Sequence, residues 1–203
     1  LTQQWLAERG VKRPRIDGGF KDLRQQSLAI LSDPEKTFWL LGGRTGSAKT
    51  VIIQGLHNSI DLEGRANHRG SAFGRRLTPQ PSPVTFECAL TADYLGHATQ
   101  NVVVEDESRT IGSVGLPERW HQCMQKADIA LLEVDIEQRV SHIEQEYVDH
   151  ALHEAAQQGL TAQDLHQRYQ SALLRIGKRL GGARLQTLQK RLTQAFTQRA
   201  SHK

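Results

Sequence analysis

The stretch LLGGRTGSAKT, from Leu40 to Thr50, decides how the rest of the chain is interpreted. It follows the phosphate-binding pattern G-x-x-x-x-G-K-[ST] except at one position. Gly43 opens the pattern and Lys49 with Thr50 closes it, whereas Ala48 stands where the second glycine belongs. The apolar run TFWLL before the loop predicts a strand, and KTVIIQGLH after it predicts a helix. A phosphate-binding loop is therefore predicted, with an ordinary glycine-rich turn as the alternative.

Each residue type in this loop has a physical reason to be there. Glycines let backbone N–H groups turn inward without a Cβ in the way. The lysine neutralises the outer phosphates, and the hydroxyl after it can hold Mg²⁺. The predicted phosphate-binding residues are Gly43, Thr45, Gly46, Ser47, Ala48, Lys49 and Thr50.

Ala48 is the departure from the pattern, and its cost depends on its backbone angle. With a positive φ, alanine costs about 1 kcal/mol or more relative to glycine. With an ordinary φ, its methyl group only crowds the phosphates. In both cases we expect weaker anion binding than glycine would give, and a preserved fold. An engineered substitution is a further alternative.

Around the loop, short apolar runs alternate with helical stretches over residues 36–138. NSIDLEG, NVVVEDE and DIALLEVD predict strands, and SPVTFECALTADYL and LPERWHQCMQKA predict helices, the first capped by Ser82. Such alternation predicts a parallel sheet covered by helices on both faces. Residues 139–203 predict three helices, and residues 1–35 predict two helices around a turn at Gly18-Gly19. The predicted fold class is α/β, with a P-loop NTPase-like parallel-sheet domain followed by a helical C-terminal region.

Three acidic residues, Glu105, Asp106 and Glu107, end the third predicted strand. A phosphate site of this type usually takes an acid from a neighbouring strand end to handle Mg²⁺. Thr50 and Asp106 are therefore the predicted Mg²⁺ residues. The sequence leaves open which of the three acids faces the site, and a solvated strand end is the alternative for each.

A second cluster of charged residues lies in DLEGRANHRGSAFG, from Asp61 to Gly74. It follows the second predicted strand, so it should lie at the sheet edge beside the phosphate loop, where open α/β folds bind ligands. Arg69 before Gly-Ser suits contact with phosphate. A flexible, solvated loop is the alternative. The candidate site residues of this stretch are Asp61, Glu63, His68, Arg69 and Ser71.

Composition limits the classes of protein that remain. Hydrophobic residues make up 37% of the 203 residues, and the formal charge of +4 is compatible with a polyanionic partner. Cys88 and Cys123 show no metal spacing and fit a reduced cytoplasmic setting. No apolar run approaches the roughly 18 residues of a membrane helix. We expect no membrane association.

Basic residues concentrate in the last two predicted helices. Arg175, Lys178 and Arg179 are the candidates for contact with an RNA backbone, with a solvated helix face as the alternative. His150 and His153 could share a helix face, but no third metal ligand is evident beside them.

Three motifs in order, LGGRTGSAKT, DLEGRANHRGSAFG and EDESRTIG, closely resemble tRNA 2-selenouridine synthase. The last motif adds Ser108 and Arg109 to the candidate site. QQWLAERGVKRPRIDGGFKDLRQ resembles the tail of the rhodanese-like domain of that family, which assigns residues 1–35 to that tail and its linker. The chain departs from the family at Ala48 and in lacking the upstream rhodanese cysteine, so we expect a fragment unable to complete selenium transfer.

The resemblance implies a two-step modification of the tRNA wobble uridine. 2-Thiouridine is S-geranylated with geranyl diphosphate, and selenophosphate then replaces the geranylthio group to give 2-selenouridine. Lys49, Arg69 and Asp106 are the residues to which this implies a catalytic role, with Mg²⁺ as cofactor. Its implied partners are tRNA, geranyl diphosphate and an enzyme that produces selenophosphate.

Two other functions remain open from the sequence. One is a small-molecule or nucleotide kinase, in which Arg139 after the fourth strand would clamp a phosphate. The other is a non-catalytic tRNA-binding module with a loop disabled by Ala48. Transfer from ATP to a small acceptor would favour the first, and tRNA binding without diphosphate affinity the second.

Overall fold

The structure is a computed structural model that describes residues 2–14 and 16–201. Residues 1, 15, 202 and 203, which fall in the predicted terminal segments, lie outside the described residues. The strands are β1 Thr37–Gly43, β2 Ser59–Ile60, β3 Asn101–Glu105, β4 Thr110–Ile111, β5 Val114–Gly115 and β6 Asp128–Leu132. The helices are α1 Thr2–Glu8, α2 Gly19–Ser32, α3 Lys49–Gly55, α4 Leu62–Arg65, α5 Pro83–Gly96, α6 Glu118–Met124, α7 Ile136–Glu144, α8 His150–Gln157, α9 Ala162–Arg175, α10 Gly177–Leu180 and α11 Gly182–Ser201, with a π-helix over Gln145–Asp149.

Four strands form a parallel sheet in the order β2-β3-β1-β6. Each parallel pair requires a crossover, and α3, α5 and α6 supply the three crossovers. The chain moves left from β1 to β2 but right from β3 to β6, so neighbouring β1 and β3 send their connections in opposite directions. Such a switch point opens a crevice at the carboxyl ends of the strands. The phosphate loop follows β1, and Asp106 follows β3, so both lie at this crevice.

Strand periodicity separates the two faces of the sheet. Phe38 and Leu40 of β1 lie in the main core with Val102 and Val104 of β3. On this face α2, α5 and α6 contribute buried side chains, including the fully buried Trp120. α3 contacts β1, β2 and β3, and its buried side chain lies outside that cluster. Helices therefore lie on both faces, as the alternation of strands and helices predicts, although the edge strand β6 and Trp39 of β1 stay largely exposed.

The second predicted strand is shorter than expected. Only Ser59–Ile60 pairs with β3, and the following residues turn into α4. Asp61 causes this change, because its carboxylate accepts a hydrogen bond from the backbone N–H of Gly64 and so caps the helix. The short hairpin of β4 and β5 was not predicted either. Ser82 caps α5 as predicted, accepting from the N–H of Thr85.

The C-terminal region is helical, as predicted. α9 starts at a capping box in which Thr161 and Asp164 exchange hydrogen bonds. Tyr169 of α9 packs in a second apolar cluster with Phe73, which comes from the charged loop after β2. The helical region is thereby tied to the phosphate-loop side of the sheet. Among the described residues, no helix has the length and apolar character needed to cross a membrane.

Candidate functional site

The phosphate loop closes tightly between β1 and α3. Lys49 Nζ donates to the carbonyl of Gly43 at 2.7 Å, so the lysine folds back across the loop. Gly46 has φ 85, and a Cβ there would lie 2.5 Å from the carbonyl oxygen of Arg139. Ser47 is buried, and its Oγ has no hydrogen-bond partner among the described residues. The loop leaves a lysine, a buried hydroxyl and backbone amides close together.

Ala48 occupies the left-handed region, with φ 60 and ψ 28. Alanine populates this region at a cost of roughly 1–2 kcal/mol, which glycine does not carry. Of the two cases that the sequence left open, the structure therefore selects backbone strain. The fold accommodates that strain without losing the strand before the loop or the helix after it.

A cavity of about 710 Å³ lies over the loop and collects residues from five separate parts of the chain. Its wall contains all seven predicted phosphate-binding residues, from Gly43 to Thr50. It also contains six of the other predicted site residues, namely Asp61, Glu63, Arg69, Asp106, Glu107 and Ser108. Of the three acids at the end of β3, the structure thus turns Asp106 and Glu107 toward the cavity.

Glu105 is turned away from the cavity and fully buried. Its Oε2 accepts from the backbone N–H of Leu62 at 2.9 Å, which joins β3 to α4. Burial, followed by the negative charge of Asp61, raises the pKa of Glu105 to about 8. Glu105 therefore fixes α4 against β3 behind the cavity and does not line the cavity.

Three further predicted residues stand beside the cavity without lining it. His68 Nδ1 accepts from the N–H of Gly70 at 3.1 Å, and Ser71 Oγ lies 2.9 Å from the hydroxyl of Tyr147. Arg109 is largely exposed near Glu118. Neither cysteine lines the cavity, and both are free.

Glu63 is a carboxylate beside the end of the phosphate loop. Its Oε2 lies 3.5 Å from Thr50 Oγ1. Burial, followed by a hydrogen bond and charge repulsion from Glu107, raises the pKa of Glu63 well above its usual range. The two carboxyl groups meet over Gly70, where an added Cβ would lie 2.2 Å from Glu63 and 2.4 Å from Glu107. Gly70, with φ 61, therefore lets both acids approach.

These oxygen donors suit Mg²⁺, which binds phosphate sites through one or two carboxylates, substrate phosphates and water. Thr50 and Asp106 lie in the same cavity wall, and Glu63 stands beside Thr50. In the described part of the chain, no three His, Cys, Asp or Glu side chains form a metal cage of their own. The residues present fit an ion held jointly with a phosphate ligand.

Arg69 is a buried cation at the edge of the cavity. Its side chain is only 8% exposed and lies 3.7 Å from both Glu146 and Glu154. Its guanidinium lies over the ring of Tyr147, with 5.4 Å to the ring centroid. Two of its nitrogens, Nε and one terminal nitrogen, have no hydrogen-bond partner among the described residues. Both nitrogens face these carboxylates at ion-pair distance without closing a hydrogen bond.

The sequence did not reveal that α7 and the π-helix build one wall of the cavity. Arg139 Nε donates to the carbonyl of Thr45 at 3.1 Å, and His142 Nδ1 lies 2.9 Å from the carbonyl of Gly46. Tyr147 contacts Ser71 from the π-helix. In the kinase alternative Arg139 is predicted to clamp a phosphate, whereas in the structure its Nε binds the backbone of the phosphate loop. His142 and Tyr147 carried no local sequence signal.

The predicted RNA-binding residues divide between two locations. Arg175 lines a second cavity, of about 920 Å³, between α9 and the segment 69–80. Lys178 and Arg179 are exposed on α10. His150 borders the first cavity and contacts Glu146, whereas His153 contacts Gln157.

Comparisons with known proteins agree with this architecture. Residues 36–203 match the protein family described as tRNA 2-selenouridine synthase AAA domain. The chain is 39% identical to a tRNA 2-selenouridine synthase of Shewanella sp. (strain ANA-3), over 98% of the chain and 56% of that protein. It is 41% identical to one of Hydrogenovibrio crunogenus, over 96% of the chain and 56% of that protein. No solved structure matches the chain significantly.

A third relative, from Pseudomonas paraeruginosa, is a tRNA 2-selenouridine synthase 42% identical over 97% of the chain and 56% of its own length. The chain thus spans a little over half the length of the curated relatives it matches. The family match covers most of the chain, from the strand before the phosphate loop through the helical region. The chain therefore belongs to the tRNA 2-selenouridine synthase AAA-domain family.

Proposed function

We propose that this chain is the phosphate-loop part of an enzyme that modifies the wobble uridine of tRNA. In the first step, the sulfur of 2-thiouridine attacks the geranyl carbon of geranyl diphosphate. A C–S bond forms, the C–O bond breaks, and diphosphate and a proton are released. In the second step, the selenium of selenophosphate attacks C2 of the base and displaces the geranylthio group as geranylthiol. Water then cleaves the Se–P bond, which releases phosphate and leaves 2-selenouridine. Names of relatives support the modification of tRNA, and the chemistry of the cavity supports the first step.

The observation that carries this proposal is the convergence of Lys49 and Arg69 on one cavity beside the loop amides. Sulfur attack builds negative charge on the departing diphosphate, and preorganised cations stabilise such charge more than they stabilise the ground state. A thiocarbonyl sulfur is already nucleophilic, so the residues need not activate it. Lys49 and Arg69 are therefore assigned to hold the diphosphate and to stabilise it as it leaves.

A divalent cation has donors available in the same cavity. Thr50 and Asp106 would hold Mg²⁺, with Glu63 beside Thr50. When bound, Mg²⁺ would neutralise charge on the diphosphate oxygens. The geranyl chain needs an apolar surface, and Val51, Ile143 and the ring of Tyr147 offer one in the cavity wall. A volume of about 710 Å³ is within the usual range for a small-molecule ligand.

The test is to incubate the chain with geranyl diphosphate, Mg²⁺ and tRNA that carries 2-thiouridine. Mass spectrometry of the digested tRNA should show S-geranyl-2-thiouridine at the wobble position. A parallel reaction with ATP and small acceptors should show no phosphoryl transfer. Transfer from ATP, with no geranylated product, would instead support the kinase function. Tight tRNA binding without affinity for geranyl diphosphate would support a binding module.

A further inference from the structure

A second cavity, here called the arginine cleft, lies between α9 and the segment 69–80 and has a volume of about 920 Å³. Five arginines line it, against only two carboxylates, Glu154 and Asp164. These arginines are Arg69, Arg75, Arg76, Arg168 and Arg175. The cleft is therefore a concentrated positive region in a chain whose overall formal charge is only +4.

Most of this positive charge is not neutralised inside the protein. Arg69 and Arg76 both approach Glu154, at 3.7 and 3.2 Å. Within the described part of the chain, no ion pair with a carboxylate reaches Arg75, Arg168 or Arg175. Arg168 donates to the carbonyl of Arg76 at 3.5 Å, which holds the side chain without neutralising its charge. Clustered arginines with few carboxylate partners repel one another, which favours a polyanion as their ligand.

The positive charge of the cleft affects the pKa of a neighbouring histidine, His68. Burial, and then the charges of Arg75, Arg175, Arg69 and Arg76, lower the pKa of His68 below its ordinary value of 6.5. The same arginines that line the cavity thus set the local potential.

The cleft adjoins the phosphate-loop cavity. Arg69 and Arg76 belong to the walls of both. Its interior also has an aromatic surface, since Phe73 and Tyr169 pack edge to face at 6.0 Å between ring centroids and both border the cleft. Arginines beside aromatic rings are the combination with which proteins hold unpaired nucleotides.

We propose that the arginine cleft binds the RNA phosphates on either side of the target nucleotide, so that the wobble base passes the Arg69–Arg76 wall into the phosphate-loop cavity. This inference rests on the proposed function, because it takes tRNA as the substrate. The inference places the RNA in the arginine cleft, next to the phosphate-loop cavity, and not only on the exposed basic residues of α10. Arg75 and Arg168 are the positioning residues that distinguish this location from the exposed basic face of α10.

The experiment measures binding of a fluorescent anticodon stem-loop to the chain as salt is varied. In the double variant Arg75→Gln, Arg168→Gln, we expect at least ten-fold weaker binding and a salt slope smaller by about 1.5, because each phosphate contact contributes about 0.7–0.9. The matched control is Arg119→Gln, Lys126→Gln, which removes the same charge from the region of α6. Its binding should stay within two-fold of wild type.

A second arm locates the phosphates on the RNA. Neutral methylphosphonates replace the phosphates flanking the wobble nucleotide. They should weaken binding to the wild-type chain but should leave binding to the cleft variant unchanged, because the contact is already lost. Equal losses in both proteins would overturn the proposal. Binding of the cleft variant equal to that of the control would also overturn it.

Two further outcomes distinguish RNA binding from small-anion binding, and failure of this inference from failure of the proposed function. Inorganic diphosphate should bind the cleft variant as well as it binds wild type, since the phosphate loop is intact. If the cleft variant loses diphosphate binding, the cleft is a small-anion site and the proposal is wrong. If wild type fails to bind the stem-loop even at low salt, the proposed function itself fails, whereas a cleft variant that binds normally refutes only this inference.

Discussion

Ala48 is a non-glycine residue in a left-handed backbone conformation, and its methyl group makes that conformation unfavourable. Its φ of 60 belongs to the region that glycine enters freely. Because alanine disfavours this region, the free loop should leave the conformation more often than a glycine loop would, and an anion must restore it on binding. Ala48→Gly should therefore tighten binding of diphosphate by roughly ten-fold, which corresponds to about 1–2 kcal/mol. Titration of both proteins with the same ligand measures the effect.

The melting temperature should change little in the same variant. Glycine relieves the strain of the folded loop but also gives the unfolded chain more freedom, and the two effects are similar in size. If the two proteins bind diphosphate equally well, the loop holds its conformation with or without an anion, and Ala48 has no cost in binding.

His68 gives the molecule a defined response to pH. Its pKa is lowered in the folded chain, so below pH 6.5 the unfolded chain takes up a proton that the folded chain refuses. The stability contributed by neutral His68 is therefore present above pH 6.5 and is lost as the pH falls toward the folded pKa. His68→Gln keeps an acceptor for the N–H of Gly70 and does not titrate.

Chemical denaturation of both proteins at pH 7.5 and pH 5.5 tests this sign. Wild type should lose more stability than His68→Gln on acidification. NMR titration should also show the His68 pKa rising in Arg75→Gln, because that variant removes a repelling charge, and not in Lys126→Gln. A larger acid loss in His68→Gln would show that the assignment is wrong.

The π-helix over Gln145–Asp149 holds the charged loop after β2 in place. π-helices are rare and often lie at functional sites. Here the Tyr147 hydroxyl lies 2.9 Å from Ser71 Oγ, 76 residues earlier in the chain. Tyr147→Phe and Ser71→Ala should each lower the free energy of unfolding by about 1 kcal/mol or more, because each removes the hydrogen bond that the two hydroxyls share. Each also removes one further contact, to the carbonyl of Arg69 and from the N–H of Phe73 respectively.

A double-mutant cycle measures this coupling. The double variant should lose less than the sum of the two single losses, by an interaction energy of about 1 kcal/mol. Strict additivity of the two losses would mean that the hydroxyl pair does not hold the loop to the π-helix.

The sequence predicted helices and strands correctly where all local signals favour the same structure. It missed elements that depend on competition between helix capping and strand pairing, or on tertiary contacts. TFWLLGG and NVVVE became strands because short, continuous apolar runs fit the buried middle of a parallel sheet. NSIDLEG did not remain a strand, because Asp61 caps a helix there and local capping outweighs strand pairing. Nothing in QEYVD distinguishes a π-helix from an α-helix, since the extra residue is set by tertiary contacts.

The same limit applies to the site. Residues of the phosphate loop and the two charged motifs were predictable because sheet topology brings strand ends to one edge. Arg139 and His142 were not placed at the loop, because they reach its carbonyl groups across 94 and 96 positions of sequence. Contacts at that separation depend on how the helical region folds back, which no local pattern encodes.

Under the proposed function, tRNA binding is a property of the whole positive surface. Affinity should fall steeply as salt rises, because released counterions drive phosphate contacts. Charge reversal at Arg175 and Arg179 should weaken binding further, with Arg175 acting from the cleft and Arg179 from α10. Filter binding at several salt concentrations measures both effects. Salt-independent binding would contradict this account.

The central claim is that the phosphate loop holds the diphosphate that leaves during alkylation of tRNA. The initial rate of S-geranylation of 2-thiouridine tRNA by Lys49→Ala, beside wild type and Lys126→Ala, tests it most directly. We predict that Lys49→Ala slows the reaction by about 100-fold or more, because one charge-stabilising group supplies roughly 3 kcal/mol. Lys126→Ala should react as wild type does, and all three proteins should melt alike. A normal rate for Lys49→Ala, or no product with wild type, would contradict the claim.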